Sequence, residues 1–234
     1  YRKFRADQFF DGYSFRNEDS VLVTTADGVI VDIVSAAEAG DHVELLMGII
    51  SPGLINCHCH LELSHLKNVI PPHTGLIDFL ISVVSKREAA PTSPKSPPKE
   101  ETYLTPEQIK QNAIIRAEKE MYENGIVAVG DIGNTADTAL VKSNSKIRWQ
   151  NFVEVISFTN EQAVENFSSY QSVAAELVRQ LQTSNLKHRT SLVPHAPYSI
   201  SPKTFQLINE ATANQIISIH NQENPAEDEL YKTG

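Results

Sequence analysis

The sequence predicts an α/β protein of barrel type, with a parallel sheet wrapped by helices and a small antiparallel β-sandwich layer in front of it. Three observations carry this. Residues 4–50 alternate short apolar runs with turn residues, and Asp-Gly stands twice after β-branched or aromatic runs. From Ser51 onward, short buried-type β runs alternate with long amphipathic stretches, the grammar of a parallel sheet. The 234 residues suffice for one large core. The expected division is a β layer over residues 1–50 and a (β/α) barrel portion over 51–234.

In the first part, Phe9-Phe10 precedes Asp11-Gly12, Val21-Leu22-Val23 precedes Asp27-Gly28, and Val29-Ile30-Val31 follows; these are hairpin signals. In the second, Leu54-Ile55, Ile126–Val129, Phe152–Ile156, Ser191–Val193 and Ile216–Ile219 read as five successive strands. Helices are expected at about 76–86, 106–123, 161–182 and 202–214. Thr105-Pro106 and Ser201-Pro202 mark two of their starts: the hydroxyl caps the helix, and proline at the first helical position sacrifices no N–H bond. Residues 91–100 hold four prolines and read as an extended solvated insertion, with a lid over a nearby site as the alternative.

Composition narrows the function. Hydrophobic residues at 41% and charged residues at 21% describe a globular chain rather than a disordered one. The net charge of −9 opposes a polyphosphate partner, and no run approaches the ~18 apolar residues of a membrane helix. Cys57 and Cys59 are the only cysteines, too few for a disulfide framework in a chain of this length. The expectation is a cytoplasmic protein with a small-molecule substrate, no nucleic-acid or membrane partner, and a homo-oligomer left open.

The chemistry is densest at Asn56-Cys57-His58-Cys59-His60. Alternate side chains of a strand share a face, so His58 and His60 project together and away from Cys57 and Cys59. Such a pair suits a divalent metal, with zinc the default; two histidines satisfied in a polar core are the competing reading. His195 ends the fourth β run and His220 the fifth. In an α/β barrel all four histidines then open on the mouth at the carboxyl ends of the strands. Glu223, three residues beyond His220, is either a general base within reach of a metal-bound water or an exposed loop carboxylate beside Glu227, Asp228 and Glu229. Glu62, just after the first strand, reads as a substrate contact or a solvated loop residue. Asp131, ending the second strand, reads as a substrate contact, a brace behind a metal ligand, or a turn residue satisfied by backbone.

Pro-Gly-x-x-Asn-x-His-x-His at 52–60, Pro-His-Ala-Pro-Tyr-Ser at 194–199 and His-x-x-Glu at 220–223, taken together and in this order, resemble the amidohydrolase superfamily, in its branch of aromatic deaminases and chlorohydrolases. His60-Leu61-Glu62-Leu63-Ser64 is similar to members that deaminate adenine-type compounds such as aminodeoxyfutalosine. The resemblance implies a (β/α)8 TIM-like barrel. It implies His58, His60 and His220 as ligands of one divalent metal (zinc first, iron or nickel also accepted), Glu223 as proton carrier, and His195 as a substrate contact. The reaction it implies is hydrolytic deamination of an aminated heterocycle by a metal-bound hydroxide, with chloride displacement or cyclic-amide opening as the alternative. A sixth-strand His and an eighth-strand Asp of the family have no counterpart here, because eleven residues follow Glu223. The resemblance therefore implies the first five-eighths of a longer barrel, and a non-catalytic fragment is the remaining alternative.

Overall fold

The computed structural model describes residues 1–87, 104–184 and 186–233; the expected insertion at 91–100 lies outside them. The chain divides into two compact units, Tyr1–Leu54 and Ile55–Gly234.

The first unit is a four-stranded sheet in the order β3-β2-β1-β4, built from β1 (Arg2–Phe9), β2 (Ser20–Thr24), β3 (Ile30–Ser35) and β4 (Glu44–Ile50). Both Asp-Gly pairs do turn the chain. Asp11 Oδ1 accepts the N–H groups of Tyr13 and Ser14, each at 2.9 Å, and Gly28 takes φ +89°, a left-handed conformation open to glycine. The expected antiparallel layer is a single mixed sheet, because β4 runs parallel to β1. The turn α1 (Ala36–Ala39), boxed by Ser35 and Glu38, lies in the connection between β3 and β4, which brings the chain back to the far side of β1 in the same direction.

The second unit holds a parallel sheet in the order β5-β6-β7-β8, from β5 (Leu54–Cys59), β6 (Ile126–Gly133), β7 (Arg148–Val155) and β8 (Arg189–Pro194). Between them run α2 (Leu76–Lys86), α3 (Pro106–Glu123), α4 (Ala139–Asn144) and α5 (Ala163–Leu181); α6 (Pro202–Ala211) and α7 (Pro225–Thr233) follow. This is the N-terminal part of a TIM-like barrel. Thr105 accepts the Gln108 N–H and Ser201 the Thr204 N–H, with Pro106 and Pro202 at the first helical positions.

Strand alternation sorts the side chains. Val153, Val155 and Leu192 pack against Phe167, Leu177 and Ile208 of the helices, which defines the helix-covered face. Val129, Trp149 and Leu61 join Ile114 of α3 on the same side. Ile132, Phe152 and Val193 form a separate cluster on the opposite face. His58, His60, Glu154 and His195 share the parity of this second face, and Asp131 shares that of Val129. β5 and β6 approach closely at Gly130, where a Cβ would stand 2.7 Å from the Cys57 carbonyl oxygen; only glycine fits.

Two elements differ from expectation. The helix α4, six residues long, is too short and polar for its periodicity to show; it is held by the buried Lys142 side chain. The fifth β run, 216–219, forms no strand. It touches β8 where Ser191 Oγ donates to the Ile216 carbonyl at 2.8 Å, and just past both segments the His220 N–H donates to the His195 carbonyl at 2.8 Å. A side-chain hydroxyl thus takes a carbonyl that a strand ladder would give to a backbone N–H.

Candidate metal centre

Four imidazoles gather at the carboxyl ends of the strands. Ring centroids lie 5.1 Å apart for His58 and His60, 4.8 Å for His58 and His220, 5.4 Å for His60 and His220, and 5.2 Å for His195 and His220. One ring nitrogen from each of His58, His60 and His220 lies within 4.8 Å of the others. Ligands on a tetrahedral ion with ~2.0–2.1 Å bonds stand about 3.4 Å apart, a spacing that falls inside this limit. His58 and His60 reach this point because a strand places residues two apart on one face; His220 reaches it because its N–H is pinned to the His195 carbonyl.

His220 stands between two carboxylates. Its Nδ1 is 2.6 Å from Glu223 Oε1, and its Nε2 is 3.0 Å from Glu154 Oε1. The Glu154 carboxylate and, against burial, Glu223 raise His220 to about 9. Burial lowers His60 and His195 from the usual histidine value, which favours the neutral imidazole that a metal requires. Burial works to raise the Glu154 carboxyl, but His220, His195 and His60 hold it below its ordinary value. The left-handed Gln222, φ 57°, turns the chain so that Glu223 faces back onto His220, and the Glu223 N–H is held by Glu227 Oε2 at 2.8 Å.

His195 sits beside this cluster with Nδ1 2.7 Å from Ser199 Oγ. Ser199 Oγ also lies 3.0 Å from the Ala196 carbonyl. When the hydroxyl donates there, His195 Nδ1–H donates to Ser199 and its Nε2 is left as an acceptor.

The expected substrate contacts Glu62 and Asp131 are placed differently. Asp131 is buried on the helix-covered face, away from the histidines. Its Oδ1 accepts the Leu61 N–H at 2.7 Å and its Oδ2 meets Lys142 Nζ at 2.5 Å. Of the readings open for it, the brace is the one the geometry fits, because it grips the peptide directly after His60. Glu62 lines the cavity but is only 3% exposed. Arg87 Nη2 donates to its Oε1 at 2.5 Å, and the Asn134 and Thr135 N–H groups and the Thr135 hydroxyl donate to its Oε2. With both oxygens engaged, it clamps the loops after β5 and β6.

Glu154 is the residue that sequence reasoning missed. Its signal was one acidic residue inside the apolar run 152–156. It is 4% exposed, its Oε1 has no hydrogen-bond partner among the described residues, and with His195 and His220 it forms a second potential ligand group. The imidazoles of His58, His60 and His220 are the donor type that a divalent cation takes. The histidines, Glu154 and Glu223 line one end of a cavity of about 870 Å³, with Leu76, Phe79, Leu80 and Val83 of α2 along another wall. Small-molecule sites commonly occupy ~300–1,000 Å³. Among the described residues, no helix is long and apolar enough to cross a membrane.

The Amidohydrolase family profile matches residues 49–233. An aminofutalosine deaminase from Helicobacter pylori, in complex with methylthio-coformycin, superposes with a TM-score of 0.76 at 20% identity, over 98% of this chain and 53% of its own. An adenosine deaminase from Xanthomonas campestris with bound zinc gives 0.69 at 21%, over 99% and 52%. A triazine hydrolase from Arthobacter aurescens gives 0.64 at 16%, over 100% and 56%. The chain spans about half the length of these solved structures. No curated protein matches it by sequence.

Proposed function

Because the chain belongs to the amidohydrolase family, whose members are generally metal-dependent, we propose that its protein is a metal-dependent hydrolase that deaminates an aminated heterocycle. The observation that carries this is the convergence of His58, His60 and His220 nitrogens within 4.8 Å, with the Glu223 carboxylate 2.6 Å from His220. His58, His60 and His220 hold one divalent ion, and the zinc in the Xanthomonas deaminase supports zinc as its identity. Bound there, the ion supplies a water activated for attack at neutral pH.

The chain's own residues do the rest. Glu223, exposed at the cavity edge beside His220, takes a proton from the attacking water. It delivers that proton to the ring nitrogen, then takes the remaining proton from the added oxygen as the carbonyl forms and passes it to the departing amine, a role worth ~10²–10⁴-fold. His195, with its ring fixed by Ser199, contacts the heterocycle. The apolar wall from α2 excludes water from the ring face. The Glu62 clamp and the Asp131 brace position the loop after β5 rather than touching substrate. The free thiols Cys57 and Cys59 support a reducing, cytoplasmic location.

The test is ammonia release by the zinc-loaded full-length protein across purines, pterins and adenine-type nucleosides. Release from at least one ring is expected; amide cleavage elsewhere with no ammonia from any ring would replace the deaminase reading.

A further inference from the structure

Glu154 is used neither by the three-histidine set nor by the proton carrier, yet it is buried at the site. It projects from β7 between Val153 and Val155, which are 1% and 0% exposed, so the strand fixes its direction. Its own carbonyl is held by Asn134 Nδ2 at 2.8 Å. Its Oε1 is buried and lies 3.0 Å from His220 Nε2 without an aligned hydrogen bond, and Glu154 lines the same cavity as the histidines. An acceptor left bare in such a place is costly unless a ligand supplies the donor.

We propose that Glu154 Oε1 receives an N–H of the leaving amine, making Glu154 the residue that selects an amine over a halide as leaving group. The inference rests on the deaminase reading and deepens it. A heterocycle that meets the water supplied at the His58, His60 and His220 site has its substituent near Glu154, because Glu154 adjoins His220. A carboxylate oxygen offers lone pairs only. An exocyclic amine meets them with an N–H, whereas a ring-bound chlorine has no proton and turns negative as its bond breaks, so the carboxylate repels it.

In the reaction, the water oxygen bonds to the ring carbon and the C–N bond breaks. The nitrogen takes that bond's electron pair and a proton delivered by Glu223, and leaves as ammonia; the other water proton, also carried by Glu223, stays on the ring nitrogen, and the ring keeps a carbonyl. Glu154 accepts hydrogen bonds from the amine throughout, and it neither gains nor loses a proton.

The test compares adenosine with 6-chloropurine riboside, or the best amine of the panel with its chloro analogue, on the zinc-loaded full-length protein. Binding is read by calorimetry in a Glu223→Gln background and turnover in the otherwise native chain, each with Glu154→Gln and Glu154→Met. Zinc content is measured for every variant. Glu154→Met is expected to keep its zinc and to lose roughly 10- to 100-fold in affinity and kcat/KM for the amine, with the chloride unchanged or improved; Glu154→Gln, whose amide oxygen still accepts, loses less. Equal losses for both rings, no loss for either, or loss of zinc in both variants would overturn the proposal, the last by making Glu154 a metal ligand. Absence of ammonia from every ring sinks the deaminase reading instead, and the binding arm still reads the amine-over-chloride preference on its own.

Discussion

His220 Nδ1 lies 2.6 Å from Glu223 Oε1 while the other nitrogen of the same ring lies 3.0 Å from Glu154 Oε1. One imidazole thus ties the exposed acid proposed to carry protons to a buried acid whose Oε1 has no aligned hydrogen bond among the described residues. Ligation, proton transfer and leaving-group recognition are adjacent because they share this ring.

Removing a ligand and removing the base have separable effects. His58→Ala or His220→Ala should lose zinc by elemental analysis and lose turnover with it. Glu223→Gln should retain zinc and lose ~10²–10⁴-fold in kcat. Full turnover in Glu223→Gln would take that residue out of the mechanism.

The buried pair behind His60 sets stability. Lys142 is 2% exposed; its Nζ meets Asp131 Oδ2 at 2.5 Å and donates to Asn151 Oδ1 at 2.6 Å. Lys142→Met leaves the Asp131 charge buried and unpaired, which should cost about 3–5 kcal/mol in urea unfolding. Adding Asp131→Asn should recover much of that loss, because no bare charge remains. A double variant no more stable than Lys142→Met would show that packing of the lysine stem, not charge pairing, dominates.

Stability of the metal-free protein should fall with rising pH. His220 is raised to about 9 in the fold, chiefly by Glu154, so its protonated form is favoured by folding. Its contribution is fully present below the unfolded histidine value of about 6.5 and is lost as pH climbs through about 9. Because the ring is partly exposed, the effect is modest. Thermal melts of chelator-treated protein should decline over this window, and His220→Asn should flatten the decline.

The two cysteines should differ in reactivity. Cys57 is exposed, whereas burial, with a contribution from Asp131, pushes the Cys59 thiol up to about 12. The thiolate is the nucleophile, so a maleimide at pH 8 should label Cys57 and spare Cys59, as read by peptide mass mapping. Labelling at equal rates would mean that the β5 face carrying Cys59 opens freely.

Much of this molecule is legible one segment at a time. The starts of α3 and α6 follow from Thr105-Pro106 and Ser201-Pro202, and the pairing of His58 with His60 follows from strand alternation, because capping and pleat are properties of a few neighbouring residues. The position of His195 at the end of β8 was equally readable, since it closes an apolar run. The same local code was silent on α4, whose six residues carry no periodicity, and misleading on 216–219, where apolar composition stands without a ladder.

The sequence by itself determined the alternation of strands and helices, the helix starts, and which histidines share a face. Tertiary structure alone decided what Asp131, Glu62 and Glu154 do. Asp131 meets the Leu61 N–H across 70 residues of chain, and Glu62 meets Asn134 and Thr135 across 72 and 73. Glu154 stays bare because no described donor is aligned with its Oε1. A local pattern states which face a side chain takes; what waits on that face depends on the register and packing of distant segments, and only the folded chain sets those.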